Sequence, residues 1–274
     1  MPDAIGPIRG GRHMDKRLAG RIALITGAGG GIGSAIARRY AGEGAYIVVA
    51  DSNEASARSV AEGIRNDGGQ AWPAPLDVTN EGQVIGIVED TVARHGAIDI
   101  LVSNAGIQVV QPLEQFSYEQ WQQMMAVHVH AAFVATRACL PHMYACDAGT
   151  IIYMGSVHSK TASMWKGPYV VAKHALLGLA RAVATEGAPH GVRANVICPG
   201  FVRTPLVERQ IPELAKSLSI STNEVIRDVM LTDTVDGEFT TVSDVAEVAL
   251  FLAGSSSNAL TGQSVVVSHG WVMA

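Results

Sequence analysis

Tyr169 and Lys173 stand four residues apart in the run Tyr169-Val170-Val171-Ala172-Lys173. On a helix that spacing puts both side chains on one face, one turn apart. A phenol with a reference pKa of about 10 is a poor base at neutral pH, and an adjacent ammonium favours its phenolate. The pair is therefore suited to moving a proton to and from a hydroxyl group. Ser156 lies upstream, where an apolar run closes in Gly155-Ser156-Val157-His158, and its hydroxyl can hold an oxygen on which charge develops. Taken singly, each of these residues is equally at home on a helix surface or in a turn. Their weight comes from what the rest of the chain builds around them.

The chain has 274 residues, 48% hydrophobic and 16% charged, which is enough for a folded core and outside the composition of disordered chains. Twenty Lys and Arg against 25 Asp and Glu leave a formal charge of −5. No broad electropositive face is available, so nucleic acid is not an expected partner. No run reaches the roughly 18 apolar residues that suggest a membrane span, so a membrane is not expected either. The three cysteines, Cys139, Cys146 and Cys198, lack the spacing of a zinc or dithiol site, and a reducing, cytoplasmic setting without a metal is expected.

Short apolar runs at 22–26, 45–50, 70–75, 99–103, 150–155, 193–198 and 264–268 read as strands. Several are apolar throughout, the pattern of strands covered on both faces. Between them, helical periodicity occupies 32–43, 54–67, 81–95, 118–144, 168–188 and 242–253. The alternation predicts a doubly wound parallel α/β sheet of Rossmann-like type, in a single domain over 14–274. Residues 201–239, with helical pieces at 204–218 and 222–230, break the rhythm and predict a mobile helical lid beyond the strand ends. Residues 1–13 carry Gly6, Gly10, Gly11, Pro2 and Pro7. They are expected to be a flexible extension, with Met14 a candidate start.

The first strand runs into Thr26-Gly27-Ala28-Gly29-Gly30-Gly31-Ile32-Gly33. Such glycines let backbone approach a pyrophosphate, and the following helix offers its free N–H groups. The spacing is not the strict dinucleotide fingerprint, and a plain Gly-rich connection would look similar. Asp51, however, ends the second strand near the offset at which an acid accepts hydrogen bonds from ribose hydroxyls. Ser52 and Asn53 follow it, with no cation for a 2′-phosphate, so the expected cofactor is NAD and not NADP. Asp77-Val78 and Asn104-Ala105-Gly106 close the next two strands on the same edge.

The motifs TGAGGGIG, Asp77, SNAG at 103–106, Ser156, YVVAK and CPG at 198–200 together resemble the short-chain dehydrogenase/reductase family over residues 18–274. The resemblance implies that Tyr169 is the acid/base, that Lys173 lowers its pKa and binds the nicotinamide ribose, and that Ser156 orients substrate. It further implies NAD contacts from Gly27, Gly31, Ile32, Gly33, Asp51, Asp77, Val78, Asn104, Ala105 and Gly106, and from Pro199, Gly200, Val202 and Thr204 after the sixth strand. A homotetramer built on paired helices is implied as well. One departure is His128, in Val127-His128-Val129-His130, where the family usually has an Asn whose backbone helps to hold a water near the lysine. A main-chain role survives that change, whereas a proton relay through the side chain stays open.

Within the family, Gln108, His158, Lys166, the run 200–211 and the C-terminal Gly270-Trp271 resemble the branch that oxidises D-3-hydroxybutyrate to acetoacetate, in which the residues matching Gln108, His158, Lys166 and Gln210 gather around the substrate carboxylate. A small anionic hydroxy acid needs a cation and neutral donors close together, and these four residues with Ser156 and Tyr169 supply them. Phe201 in place of a frequent Trp, and Thr234-Val235-Asp236 in place of a Lys-Gln-Pro type of segment, depart from that branch. Two other readings stand beside this one. The first is a dehydrogenase for another hydroxy acid, a secondary alcohol or a 3-ketoacyl thioester, and the second is a cofactor-binding relative without activity.

Overall fold

The computed structural model describes residues 16–273, so the expectations for residues 1–13 and for Met14 lie outside the described residues. Seven parallel strands form one sheet in the order β3-β2-β1-β4-β5-β6-β7. They are β1 Ile22–Thr26, β2 Tyr46–Asp51, β3 Gln70–Pro75, β4 Ile100–Ser103, β5 Gly149–Met154, β6 Val192–Pro199 and β7 Ser264–Val267. Each predicted strand is present, with ends shifted by a residue or so.

Several strands are apolar nearly throughout because neighbouring residues serve different cores. In β1, Leu24 faces one side of the sheet while Ala23 and Ile25 face the other. Ile25 joins Ile36, Tyr40, Ile64, Val245 and Leu250 under helices α1 (Gly31–Gly42), α2 (Glu54–Asn66) and α9 (Val242–Ala253). Leu24 joins Val88, Leu101, Met143, Tyr153 and Leu176 under α3 (Glu81–His95), α5 (Ala131–Ala145) and α6 (Gly167–Gly187). Strand order reverses between β1 and β4, and in open α/β sheets such a switch point opens a crevice beyond the carboxyl ends of the strands.

One feature differs from the periodicity and a second largely follows it. The predicted continuous helix over 118–144 is α4 (Tyr118–Met125), a π-helical turn (Ala126–His130) and α5. Buried Met124, His128, Ala132, Ala135, Cys139 and Met143 keep spacings of three and four, so a one-residue bulge leaves the apolar pattern unbroken. The segment after β6 contains α7 (Pro205–Leu218), the short α8 (Thr222–Glu224) and a second π-helical turn (Val225–Met230). It buries Val207, Ile211, Val225, Met230 and Leu231 in a small core of its own, separate from both sheet cores.

Candidate active site

The glycine-rich turn is shaped by contacts that a side chain would destroy. Gly27 has φ +64°, and a Cβ there would stand 2.8 Å from Ala105 Cα. At Gly33 a Cβ would stand 2.3 Å from Gly27 O, so this glycine packs α1 against the turn and does not line the cleft. Gly30 has open space where its Cβ would be. No side chain caps α1 at Gly30 and no acid occupies its first turn, so its first N–H groups face the cleft free. Asn104 Nδ2 donates to Thr26 O at 3.0 Å and to Gly27 O at 3.1 Å, stitching the turn after β4 to the turn after β1. Asp51 accepts from Gly29 N and Asn53 N, each at 2.9 Å. Asp77, at the rim, accepts from Thr79 N and Oγ1.

These turns open on a cleft of about 560 Å³. Gly27, Gly31, Ile32, Asp51, Asp77, Val78, Asn104, Ala105, Gly106, Pro199, Gly200, Val202 and Thr204 line it together with Ser156, Tyr169 and Lys173. A cradle of bare glycine backbone, an uncapped helix N-terminus and a strand-end carboxylate fit a dinucleotide. Those residues would hold the pyrophosphate and the adenosine ribose.

At the other end, Ser156 caps the short turn Val157–Ser159, accepting from His158 N at 3.2 Å, and interacts with the Tyr169 phenol. Lys173 Nζ donates to Met154 O at 2.6 Å and lies 5.3 Å from the Tyr169 ring centroid. Burial pushes the phenol up to about 12, against the lowering effect of Ser156. Burial also pulls the Lys173 ammonium down to about 7. The expectation that the ammonium dominates the phenol is thus reversed in the protein alone. Lys173 is buried and Tyr169 half-buried in the cleft wall; lost hydration disfavours both charged forms in the protein alone, so Tyr169 rests as a neutral proton donor.

The four residues expected around a carboxylate are brought close. Gln108, His158 and Lys166 line the cleft; Gln210 does not, but its Nε2 donates to Gln108 Oε1 at 2.8 Å and so orients that amide from the lid. Lys166 Nζ sits 3.5 Å from His158 Nε2 and 4.9 Å from the Phe201 ring centroid, with no carboxylate partner among the described residues. Burial pulls its ammonium down to about 8. His158 is pulled down to about 4, by burial and then by Lys166, and is neutral. A cation held this way gains a counter-ion when an anion enters. Trp165, just before it, holds the left-handed φ of +64° and presents its carbonyl to Gln111 N at 2.9 Å.

Sequence reasoning used Trp271 only as part of the resemblance to one family branch and gave it no place in the site. Trp271 stacks on Phe201 with centroids 5.1 Å apart and meets His158 edge-on at 5.6 Å. It also left His128 open. That ring is buried at the π turn, with Nε2 2.8 Å from Ile107 O, and stands edge-on to Tyr169 at 5.5 Å. A Cβ on Gly106 would meet its Cε1 at 2.6 Å. Burial and Lys173 pull it down to about 3, so it clamps the 106–107 turn as a neutral imidazole. The only sequence signal was the departure itself.

Comparison with known proteins agrees with this geometry. Residues 21–215 match the family model described as short chain dehydrogenase. The D-beta-hydroxybutyrate dehydrogenase of Rhizobium meliloti (strain 1021) is 40% identical over 253 residues, covering 92% of this chain and 98% of that protein. An uncharacterized oxidoreductase, YxjF, of Bacillus subtilis (strain 168) is 38% identical, covering 92% and 98%. Among solved structures, the crystal structure of gox2181 superposes with a TM-score of 0.87 at 28% identity, covering 94% of this chain and 98% of that one.

Proposed function

This chain belongs to the short chain dehydrogenase family and is an oxidoreductase acting on CH–OH groups, and from that premise we propose that it oxidises D-3-hydroxybutyrate reversibly to acetoacetate with NAD. The observation that carries the substrate is Lys166, a buried amine beside neutral His158 in a cleft that Gln108 also lines, with no acid to pair with among the described residues. A carboxylate there would accept charge-assisted hydrogen bonds from Lys166 and from the Gln108 amide.

The chain's own residues then do the following. Ser156 holds the substrate oxygen beside the Tyr169 phenol. In the oxidative direction the phenolate oxygen takes the hydroxyl proton, and in the reductive direction the phenol returns it to the forming alkoxide. Lys173, fixed by Met154 O, places positive charge beside the phenolate whenever it is protonated. Bound NAD would supply the hydride acceptor and, when oxidised, a second positive charge near the phenol. The lid residue Gln210 fixes Gln108, and a lid held in this way would exclude water during transfer. Preference for NAD rests on Asp51, whose carboxylate would repel a 2′-phosphate. A homotetramer and a cytoplasmic location belong to the same reading; no helix among the described residues is long and apolar enough to cross a membrane.

The test is absorbance at 340 nm with each enantiomer of 3-hydroxybutyrate, and with NAD or NADP. Rapid reduction of NAD by the D form alone is expected, with Tyr169→Phe lowering the rate by about 10²- to 10⁴-fold. Equal turnover of a neutral secondary alcohol would remove the carboxylate from the account. Finding NAD binding without turnover of any hydroxy acid would turn the reading toward an inactive relative.

A further inference from the structure

His269 is one of four non-glycine residues among those described with positive φ, at +50°. A side chain is disfavoured in that region, and glycine would fill the position at lower cost. The imidazole has a use there. Its Nδ1–H donates to Asp236 Oδ2 at 2.7 Å, a carboxylate being able only to accept. Asp236 belongs to the arm that returns from the lid to the sheet, and its other oxygen accepts from Glu238 N at 3.1 Å. A second bond lies beside the first, with Val235 N donating to His269 O at 2.9 Å. Gly270 follows, where a Cβ would strike Val235 Cγ1 at 2.7 Å. The next residue is Trp271, whose ring stacks on Phe201 at the start of the lid and meets His158 edge-on.

We propose that His269 and Asp236 form a clasp that fixes the C-terminal segment to the base of the lid and thereby sets the depth at which Trp271 stands in the chamber. The pair are positioning residues: neither lines the cleft, and both act through the indole. The proposal rests on the reading of this chamber as the substrate site. Its consequence is selectivity for size. With the clasp closed, Trp271 and Phe201 limit the substituent beyond the carbinol carbon. Once it opens, the indole gives way and longer 3-hydroxy acids gain relative to the four-carbon one.

The test compares His269→Gly, Asp236→Ala, their double variant and Asp236→Asn, which keeps an acceptor oxygen. Each single disruptive change should raise KM for 3-hydroxybutyrate about tenfold with kcat and NAD affinity little changed, the size of effect expected for one lost hydrogen bond. The ratio of kcat/KM for 3-hydroxyhexanoate over 3-hydroxybutyrate should rise in the same variants. The double variant should be no worse than either single one, and Asp236→Asn should behave as wild type. Melting temperature should hold or rise in His269→Gly, because the left-handed strain is relieved. A readout free of substrate separates this proposal from the substrate assignment. Acrylamide quenching of Trp271 in the NAD complex, taken as the difference from a Trp271→Phe background, should increase in both single variants even if no hydroxy acid is turned over. Unchanged quenching, unchanged chain-length preference or additive losses in the double variant would overturn the clasp.

Discussion

Lys166 and Tyr169 sit in one chamber but respond to pH in opposite senses. Lys166 carries its charge below about pH 8 and loses it above, because burial has lowered its pKa. Tyr169 is protonated up to about 12 in the protein alone, so the base needed for oxidation becomes more available as pH rises. Oxidation of an anionic hydroxy acid is therefore expected to gain in kcat with rising pH while its KM climbs above pH 8, giving a bell in kcat/KM. A neutral secondary alcohol should lack the fall that Lys166 causes, keeping only the titrations of Tyr169 and Lys173. Lys166→Met should raise KM for the anion by about 10²-fold and flatten the alkaline limb, leaving the neutral alcohol unaffected. Steady-state profiles on both substrates between pH 6 and 10 check this, and an alkaline limb that survives the substitution would assign it to another group. The individual residues of this set were legible in the sequence because strand ends and helix starts are local features. The pKa order of Tyr169 and Lys173 was not, since spacing reports neighbours and says nothing of how much water surrounds them.

The turns and helices that carry the site depend on close backbone approach. Gly33 shows this most sharply: a methyl group there would stand 2.3 Å from Gly27 O and 2.6 Å from Asn104 Nδ2. Backbone cannot yield cheaply on that side, because Asn104 ties Gly27 and Thr26 to the end of β4. Gly33→Ala is thus expected to displace the glycine-rich turn from the N-terminus of α1, weakening affinity for the nicotinamide cofactor by about tenfold or more and lowering the melting temperature. Gly30→Ala, with open space around its Cβ, should leave the fold intact and lose affinity only through contact with the dinucleotide. Calorimetric titration and thermal melts on the two variants separate packing from contact; equal melting temperatures would cancel the distinction. In the sequence the glycines look alike, since a motif gives their order without showing which side each presents to its neighbours. The π turn at Ala126–His130 escaped for a related reason, as it shifts the helix by one residue while preserving the apolar spacing.

At the scale of the whole molecule, the buried apolar residues among those described fall into three clusters, two against the sheet and one inside the lid. The first two follow directly from uninterrupted apolar strands, which is why the parallel sheet could be read from composition and alternation. The third was anticipated as a lid with helical pieces; that it closes on itself could not be read, because Ile211, Val225, Met230 and Phe239 meet across turns of irregular length. A core with no members in common with the others can open without them. Ile211→Ala, at a site 5% exposed, removes atoms from the smallest cluster, a change that typically costs about 2–5 kcal/mol locally. The sheet should hold its melting transition within a few degrees. Trypsin, by contrast, should cut at exposed Lys216 and Arg227 about tenfold faster or more, because cleavage follows the population of the open lid. Substrate analogues that bring the Gln108–Gln210 pair against a carboxylate should restore protection. If cleavage instead accelerated evenly along the chain as the melting temperature fell, lid and sheet would be one cooperative unit, and substrate entry would have to proceed through a cleft that stays closed on that side.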